Sequence, residues 1–138
     1  MEVPNQIVLD TSVIIAHLRK RQESRLVTML QEKVELATTI VNAFELYYGA
    51  YKSKQLKANL SSVKGFLSTI QVLIMDEGSA EKSGEVLVKL ESGGKAIDAR
   101  DLFIGCTAVK NGFAVLTHNR EHFERIPELL VLTPSDIT

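Results

Sequence analysis

Cysteine is nearly missing from this chain, with one in 138 residues, so no internal disulfide can hold the fold together. Cys106 falls among Phe103, Ile104, Ala108 and Val109, which reads as a small buried apolar residue rather than a reactive thiol. Charge of one sign is also lacking: 16 Lys and Arg stand against 17 Asp and Glu, a net charge of −1. Bulk attraction to nucleic acid is thereby excluded, and any such binding must come from a local patch. No apolar run approaches the roughly 18 to 20 residues that span a bilayer, and Met1-Glu-Val-Pro4-Asn lacks the basic and apolar stretches of a secretory leader. The expected setting is therefore the cytoplasm, with no membrane partner. Internal repeats, linkers and low-complexity segments are absent as well. What is present, 45% hydrophobic and 24% charged residues over 138 positions, suits one globular domain, residues 1–138.

Along the chain, strand-like and helix-like patterns alternate. Ile7 to Leu9 is short and β-branched, and Val13, Ile14, Ala16 and Leu18 then take helical spacing. A helix from about Ser24 to Lys33 precedes a short strand at Glu35 to Ala37. Thr38 or Thr39 supplies an N-cap for a helix running to about Tyr51. Leu56, Leu60, Val63 and Leu67 mark a helix from about Gln55, and Ile70 to Met75 reads as the third strand. A helix from about Ser79 to Leu90 and a loop over Glu91 to Lys95 follow. Asp98 to Lys110 is expected to be helical and closed by a left-handed cap at Asn111-Gly112. Ala114 to Thr117 and Leu129 to Leu132 supply two more strands. The fold class is α/β: a central parallel sheet of four to five strands with helices on both faces and right-handed crossovers.

Four acids stand where such a fold presents chemistry. Asp10 ends the first strand, and either caps the next helix or faces the crevice at the sheet's carboxyl edge. Glu45 lies among Ile40, Val41, Ala43, Phe44, Leu46, Tyr47 and Tyr48, so it either edges a cleft or shares a polar stripe with Asn42. Asp98 and Asp101 open a later helix three residues apart and project from one side. Both could serve only as caps, and Asp101 is the stronger candidate for a metal ligand. If the fold gathers these acids, each like-charge pair at about 4 Å repels by about 4 kcal/mol at an effective dielectric of about 20. A divalent cation relieves that cost, and oxygen donors without a usable Cys or His set favour Mg²⁺ or Mn²⁺ over zinc. Such an ion can activate water against a phosphodiester.

His17, His118 and His122 are the remaining candidates for acid–base chemistry; His118 and His122 are spaced like a helical pair, but His118 follows a strand and is not expected to share a helix with His122. Lys52, Lys54, Lys57 and Lys64 read as a solvated helix face. Of Tyr47, Tyr48 and Tyr51, which could stack on bases, at least two are expected in the core.

Leu9-Asp10-Thr11-Ser12, Glu45-Leu-Tyr-Tyr-Gly49, Asp101-Leu-Phe-Ile-Gly-Cys-Thr-Ala108 and Leu116-Thr117-His-Asn119 through His122-Phe123 resemble the ordered motifs of PIN-domain nucleases. Spacing and length are most similar to the VapC-type toxins of toxin–antitoxin pairs, from about Ile7 to Leu132. The resemblance implies a metal-dependent endoribonuclease acting on structured RNA such as tRNA or rRNA, silenced by a cognate antitoxin and built as a homodimer. It puts Asp10, Glu45 and Asp101 on the acidic positions of the family, with Asp98 as a further ligand on a more variable position. Thr117 would orient Asp10 or a water, and Thr11 and Asn119 would position substrate or water. One departure is Asn119, which stands where many relatives carry a fourth acid. That keeps open a non-catalytic RNA- or partner-binding protein on the same fold, and an RNA-processing PIN nuclease without an antitoxin is the other alternative. Phosphatase chemistry of the haloacid-dehalogenase type needs a second Asp where this chain has Ser12.

Overall fold

A computed structural model describes residues 3–21 and 23–137. In chain order the elements are β1 (Gln6–Leu9), α1 (Thr11–Leu18), α2 (Glu23–Lys33), β2 (Glu35–Thr39), α3 (Ile40–Lys52), α4 (Leu56–Leu67), β3 (Gln71–Leu73), α5 (Glu77–Ser92), α6 (Ala99–Asn111), β4 (Ala114–Leu116), α7 (Arg120–Phe123), β5 (Val131–Leu132) and α8 (Pro134–Ile137). The strands pair in the order β3-β2-β1-β4-β5, and every pairing is parallel.

Successive side chains of a strand point to opposite faces, and β1 uses both. Ile7 and Leu9 enter a cluster with Val13, Ile14, Leu30, Leu46 and Val63. Val8 enters another with Val86, Ile104, Val115 and Phe123. Ile7, Val8 and Leu9 are all fully buried, which is why the run needs no polar alternation. Removing each such side chain from water contributes about 1.5–3 kcal/mol, so the centre of the sheet is also its most strongly held part. Gly105 lets α6 approach the segment after α7, since a Cβ there would lie 2.3 Å from the buried Ile126 Cδ1. The expected left-handed cap is present at Gly112, with φ at 79°.

Topology fixes where chemistry can sit. From β1 the chain steps to β2 and β3 on one side, then returns by α5 and α6 to place β4 on the other side of β1. The segments leaving β1 and β4 therefore diverge, and a crevice opens at their carboxyl ends. Leu9 pairs with Leu116, and the Asp10 amide donates to the Leu116 carbonyl at 2.9 Å, so Asp10 is held at the floor of that crevice.

Several boundaries differ from the sequence reading. The third strand stops at Leu73 because it pairs with β2 alone, at the sheet edge, and Ile74 is exposed. Asp76 then accepts from the Ser79 amide and starts α5 at Glu77. That helix runs on through Ser92, which takes Glu91 and Ser92 out of the expected loop. The last strand is only Val131–Leu132. The helices α7 and α8, four residues each, are too short to leave a periodic signal. Tyr48 and Tyr51 are exposed, and only Tyr47 packs on the core, because the outer face of α3 has no neighbour among the described residues.

Candidate active site

Asp10 occupies the N-cap position of α1, in extended geometry, yet its side chain makes no capping bond. Instead the buried carboxylate accepts from the Thr117 hydroxyl at 2.7 Å, from Asn42 Nδ2 at 3.2 Å and from the Ser12 hydroxyl at 3.3 Å. Thr117 follows β4 and is itself fully buried beneath Asp10, so its hydroxyl orients that carboxylate from below. The same oxygen accepts from the Asn119 amide at 2.9 Å, which sets where the following loop turns.

Asn42 ties this floor to α3. It sits at the third position of the helix, and its Oδ1 accepts from the Thr39 amide and hydroxyl while Thr39 accepts from the Asn42 amide, a reciprocal cap. Its Nδ2 also donates to the Thr11 hydroxyl at 3.0 Å, and Thr11 donates to Glu45 Oε1 at 2.7 Å. One helical turn after Asn42, Glu45 is thus aimed at the same crevice. It is half-buried, and burial pushes its carboxyl above the usual range, with the Thr11 hydrogen bond opposing and the Asp10 charge adding to the rise.

The opposite wall comes from the start of α6. Asp98 is the N-cap, accepting from the Arg100 amide at 2.8 Å, and that bond holds its carboxyl below the usual range. Asp101, one turn in, is half-buried, and its carboxyl is pushed up to about 6, mainly by burial. The neighbouring His122 lowers it, and the charges of Asp10, Asp98 and Glu45 raise it further. His122 Nδ1 lies 3.4 Å from Asp101 Oδ2.

Asp10, Thr11, Glu45, Asp98, Asp101 and Asn119 line one cleft of about 570 Å³, together with Arg100 and His122. The cage expected from the sequence is not closed, however. Among the described residues no three Asp, Glu, His or Cys side chains converge tightly enough to hold an ion as they stand. Like charges gain by separating, and each acid has found a local partner: Asp10 on Thr117 and Asn42, Glu45 on Thr11, Asp101 on His122. The raised carboxyls of Glu45 and Asp101 still mark a site with more negative charge than it can comfortably solvate.

Asn42 and Arg100 escape the sequence reading as parts of the site, and His122, one of the three histidines that are candidates for acid–base chemistry, is the one that reaches the cleft. Asn42 has a readable signal, three after Thr39 and three before Glu45 on one helix face. Arg100 is bracketed by Asp98 and Asp101. His122 enters through α7, where it shares no helix with His118, and its place against Asp101 has no periodic signal in the sequence.

A family model described as PIN domain matches residues 7–129. A tRNA(fMet)-specific endonuclease VapC of Salmonella typhimurium is 30% identical over 131 residues, covering 91% of this chain and 96% of that protein. A ribonuclease VapC2 of Haemophilus influenzae is 29% identical over 119 residues, covering 86% and 90%. Among solved structures, DNA-bound VapBC from Salmonella typhimurium superposes with a TM-score of 0.84 at 30% identity, covering 94% of this chain and 98% of that one. VapBC2 from Rickettsia felis bound to a promoter DNA fragment gives a TM-score of 0.85 at 26% identity, covering 93% and 98%.

Proposed function

The chain belongs to the PIN-domain family, and on that footing we propose that it is a VapC-type endoribonuclease, the toxin of a toxin–antitoxin pair, hydrolysing RNA phosphodiester bonds. One observation carries the reading: acids just after β1, in α3 and at the start of α6, far apart along the chain, line a single cleft at the point where the strand order reverses. In this reading residues 1–138 act as one domain in the cytoplasm. Its partners are RNA, tRNA or rRNA included, a cognate antitoxin and a second copy of the chain. Names of relatives and of solved complexes support the RNA and the antitoxin. For the second copy, Ile40, Phe44, Tyr48 and Tyr51 offer an exposed apolar stripe along α3.

The donor set fits a hard divalent cation, Mg²⁺ or Mn²⁺, because every candidate ligand is a carboxylate and two of them are held above their ordinary range. Asp10, Asp101 and Glu45 would hold it, with Asp98 at the rim. When bound, the ion supplies a Lewis acid for the phosphoryl oxygens and makes water acidic enough to be a nucleophile. The chain's own residues do the rest. Thr117 and Asn42 fix Asp10 so that it does not turn away from an incoming cation. Thr11 fixes one oxygen of Glu45, and Oε2, with the Arg100 guanidinium 3.8 Å away, is the oxygen that would take a proton from an attacking water. Asn119 presents a neutral amide to the cleft where a fourth acid would add charge.

Asp10→Asn and Asp101→Asn should each abolish Mg²⁺- or Mn²⁺-dependent cleavage of total RNA with the circular dichroism spectrum unchanged. Full activity in both variants would remove the proposal. RNA binding by the wild type without any fragments would favour the non-catalytic alternative instead.

A further inference from the structure

A cleft lined by Asp10, Glu45, Asp98, Asp101 and Glu121 repels a polyanion, so a nuclease built on it needs a cation of its own for the substrate. Three basic side chains line it. His122 lies against Asp101, and Arg125 donates Nη1 to the Ala96 carbonyl and so is tied to the loop before α6. Arg100 is placed differently. Its side chain is 52% exposed, with Nη1 3.8 Å from Glu45 Oε2 and Nε 3.5 Å from Asp98 Oδ1. Both distances exceed the 2.7–2.9 Å or so of a charge-assisted hydrogen bond, so the guanidinium is near two carboxylates without being locked to either. Exposed pairs of this kind are weak and readily exchanged. A guanidinium presents a planar fork that matches two oxygens of a phosphate, and it stays charged at any working pH.

We propose that Arg100 is a phosphate clamp: it rests between Glu45 and Asp98 while the cleft is empty and passes to the non-bridging oxygens of an RNA phosphate beside the bond to be cut. The transfer frees Glu45 Oε2 at the moment substrate arrives. Arg100 therefore contributes chiefly to binding and register, through contact with the backbone of the RNA, and this assignment rests on the nuclease reading above.

The test is the salt dependence of RNA binding. In an Asp10→Asn background, which leaves the probe intact, fluorescein-labelled bulk tRNA is titrated by anisotropy between 50 and 300 mM KCl. Adding Arg100→Gln should weaken binding about tenfold at the middle of that range and reduce the slope of log K against log salt by about 0.7–0.9, the loss of one phosphate contact. Arg100→Lys should keep the slope while recovering only part of the affinity, because it restores the charge without the fork. In the cleavage-competent protein, Arg100→Gln should raise KM with kcat within a few-fold. An unchanged slope and affinity in Arg100→Gln overturns the proposal. So does an effect confined to the Mn²⁺ concentration needed for cleavage, since Arg100 would then be only a counter-ion for Glu45. Failure of the Asp10→Asn parent to bind tRNA, together with no cleavage by the wild type, would instead sink the nuclease reading itself.

Discussion

The two walls of the cleft are built on opposite plans. On the strand side, Asp10 is buried at the end of β1 and satisfied by Thr117, Asn42 and Ser12, each held by further bonds or by the core. On the helix side, Asp101 and Asp98 stand at the start of α6, partly open to water, with Asp101 pushed up to about 6. One wall is assembled before any ligand arrives, whereas the other holds a half-buried charge whose cost a proton or a cation relieves. A cation entering such a site would meet one carboxylate already aimed and others ready to swing, which spares the protein from ordering all of them against mutual repulsion.

The contrast breaks most directly at Asn42. Asn42→Ala removes the reciprocal cap with Thr39, a donor to Asp10 and the link to Thr11 together. Urea unfolding should show a loss of about 2–4 kcal/mol, combining a lost cap with stranded buried polar groups. A loss below about 1 kcal/mol would mean that the strand-side network is not the rigid wall described.

Asp101→Asn should act with the opposite sign. The folded-state carboxyl at about 6 lies above its ordinary 3.8, so between those values the folded protein binds the proton more tightly than the unfolded chain. Stability from this group therefore falls as pH rises through that window, and the deficit is complete above it. Replacing the acid by the neutral amide should stabilise the cation-free protein by about 1–3 kcal/mol at pH 7 and by almost nothing near pH 4. Urea titrations in EDTA at the two pH values decide it, and a stability loss at pH 7 would contradict the charge cost assigned to this wall.

The smallest effect is expected from His122→Ala. Because His122 lowers the Asp101 carboxyl, its removal should move the Asp101 midpoint above 6 by a fraction of a unit, visible in a carbon-detected NMR titration. The accompanying stability change should stay under about 1 kcal/mol, as for other partly exposed pairs. A downward shift would show that His122 does not face Asp101 in solution.

Sequence alone exposes Asp10 and Asp101 because each falls where a strand or helix changes state, and it exposes Glu45 because an acid interrupts an apolar stretch. The reason attached to Glu45 is incomplete, though. Ile40, Phe44 and Tyr48 turn outward, and what draws Glu45 into the cleft is Thr11 across the α1–α3 contact. The sheet and its helices follow from hydrophobic period, with errors only at ends where a cap or an edge strand decides. Asn42 is harder to read as part of the site because its partner there, Asp10, lies 32 residues away and becomes a neighbour only through the β1–β2 pairing. The contact of His122 with Asp101 is hidden for a related reason: a four-residue helix has no repeat to detect, and its position depends on how β4 leaves the sheet.

The parallel pairing of β1 with β4 also sets a schedule for synthesis. Asp10, Glu45 and Asp101 all leave the ribosome before Ala114–Leu116, the strand that lies beside Ile7–Leu9 and leads into Thr117. Until that strand slots in, β1 is an edge strand and Asp10 lacks the hydroxyl beneath it. The floor of the cleft is therefore set only after Asp10, Glu45, Asp98 and Asp101 have all been made, when β4 brings the Thr117 hydroxyl beneath Asp10.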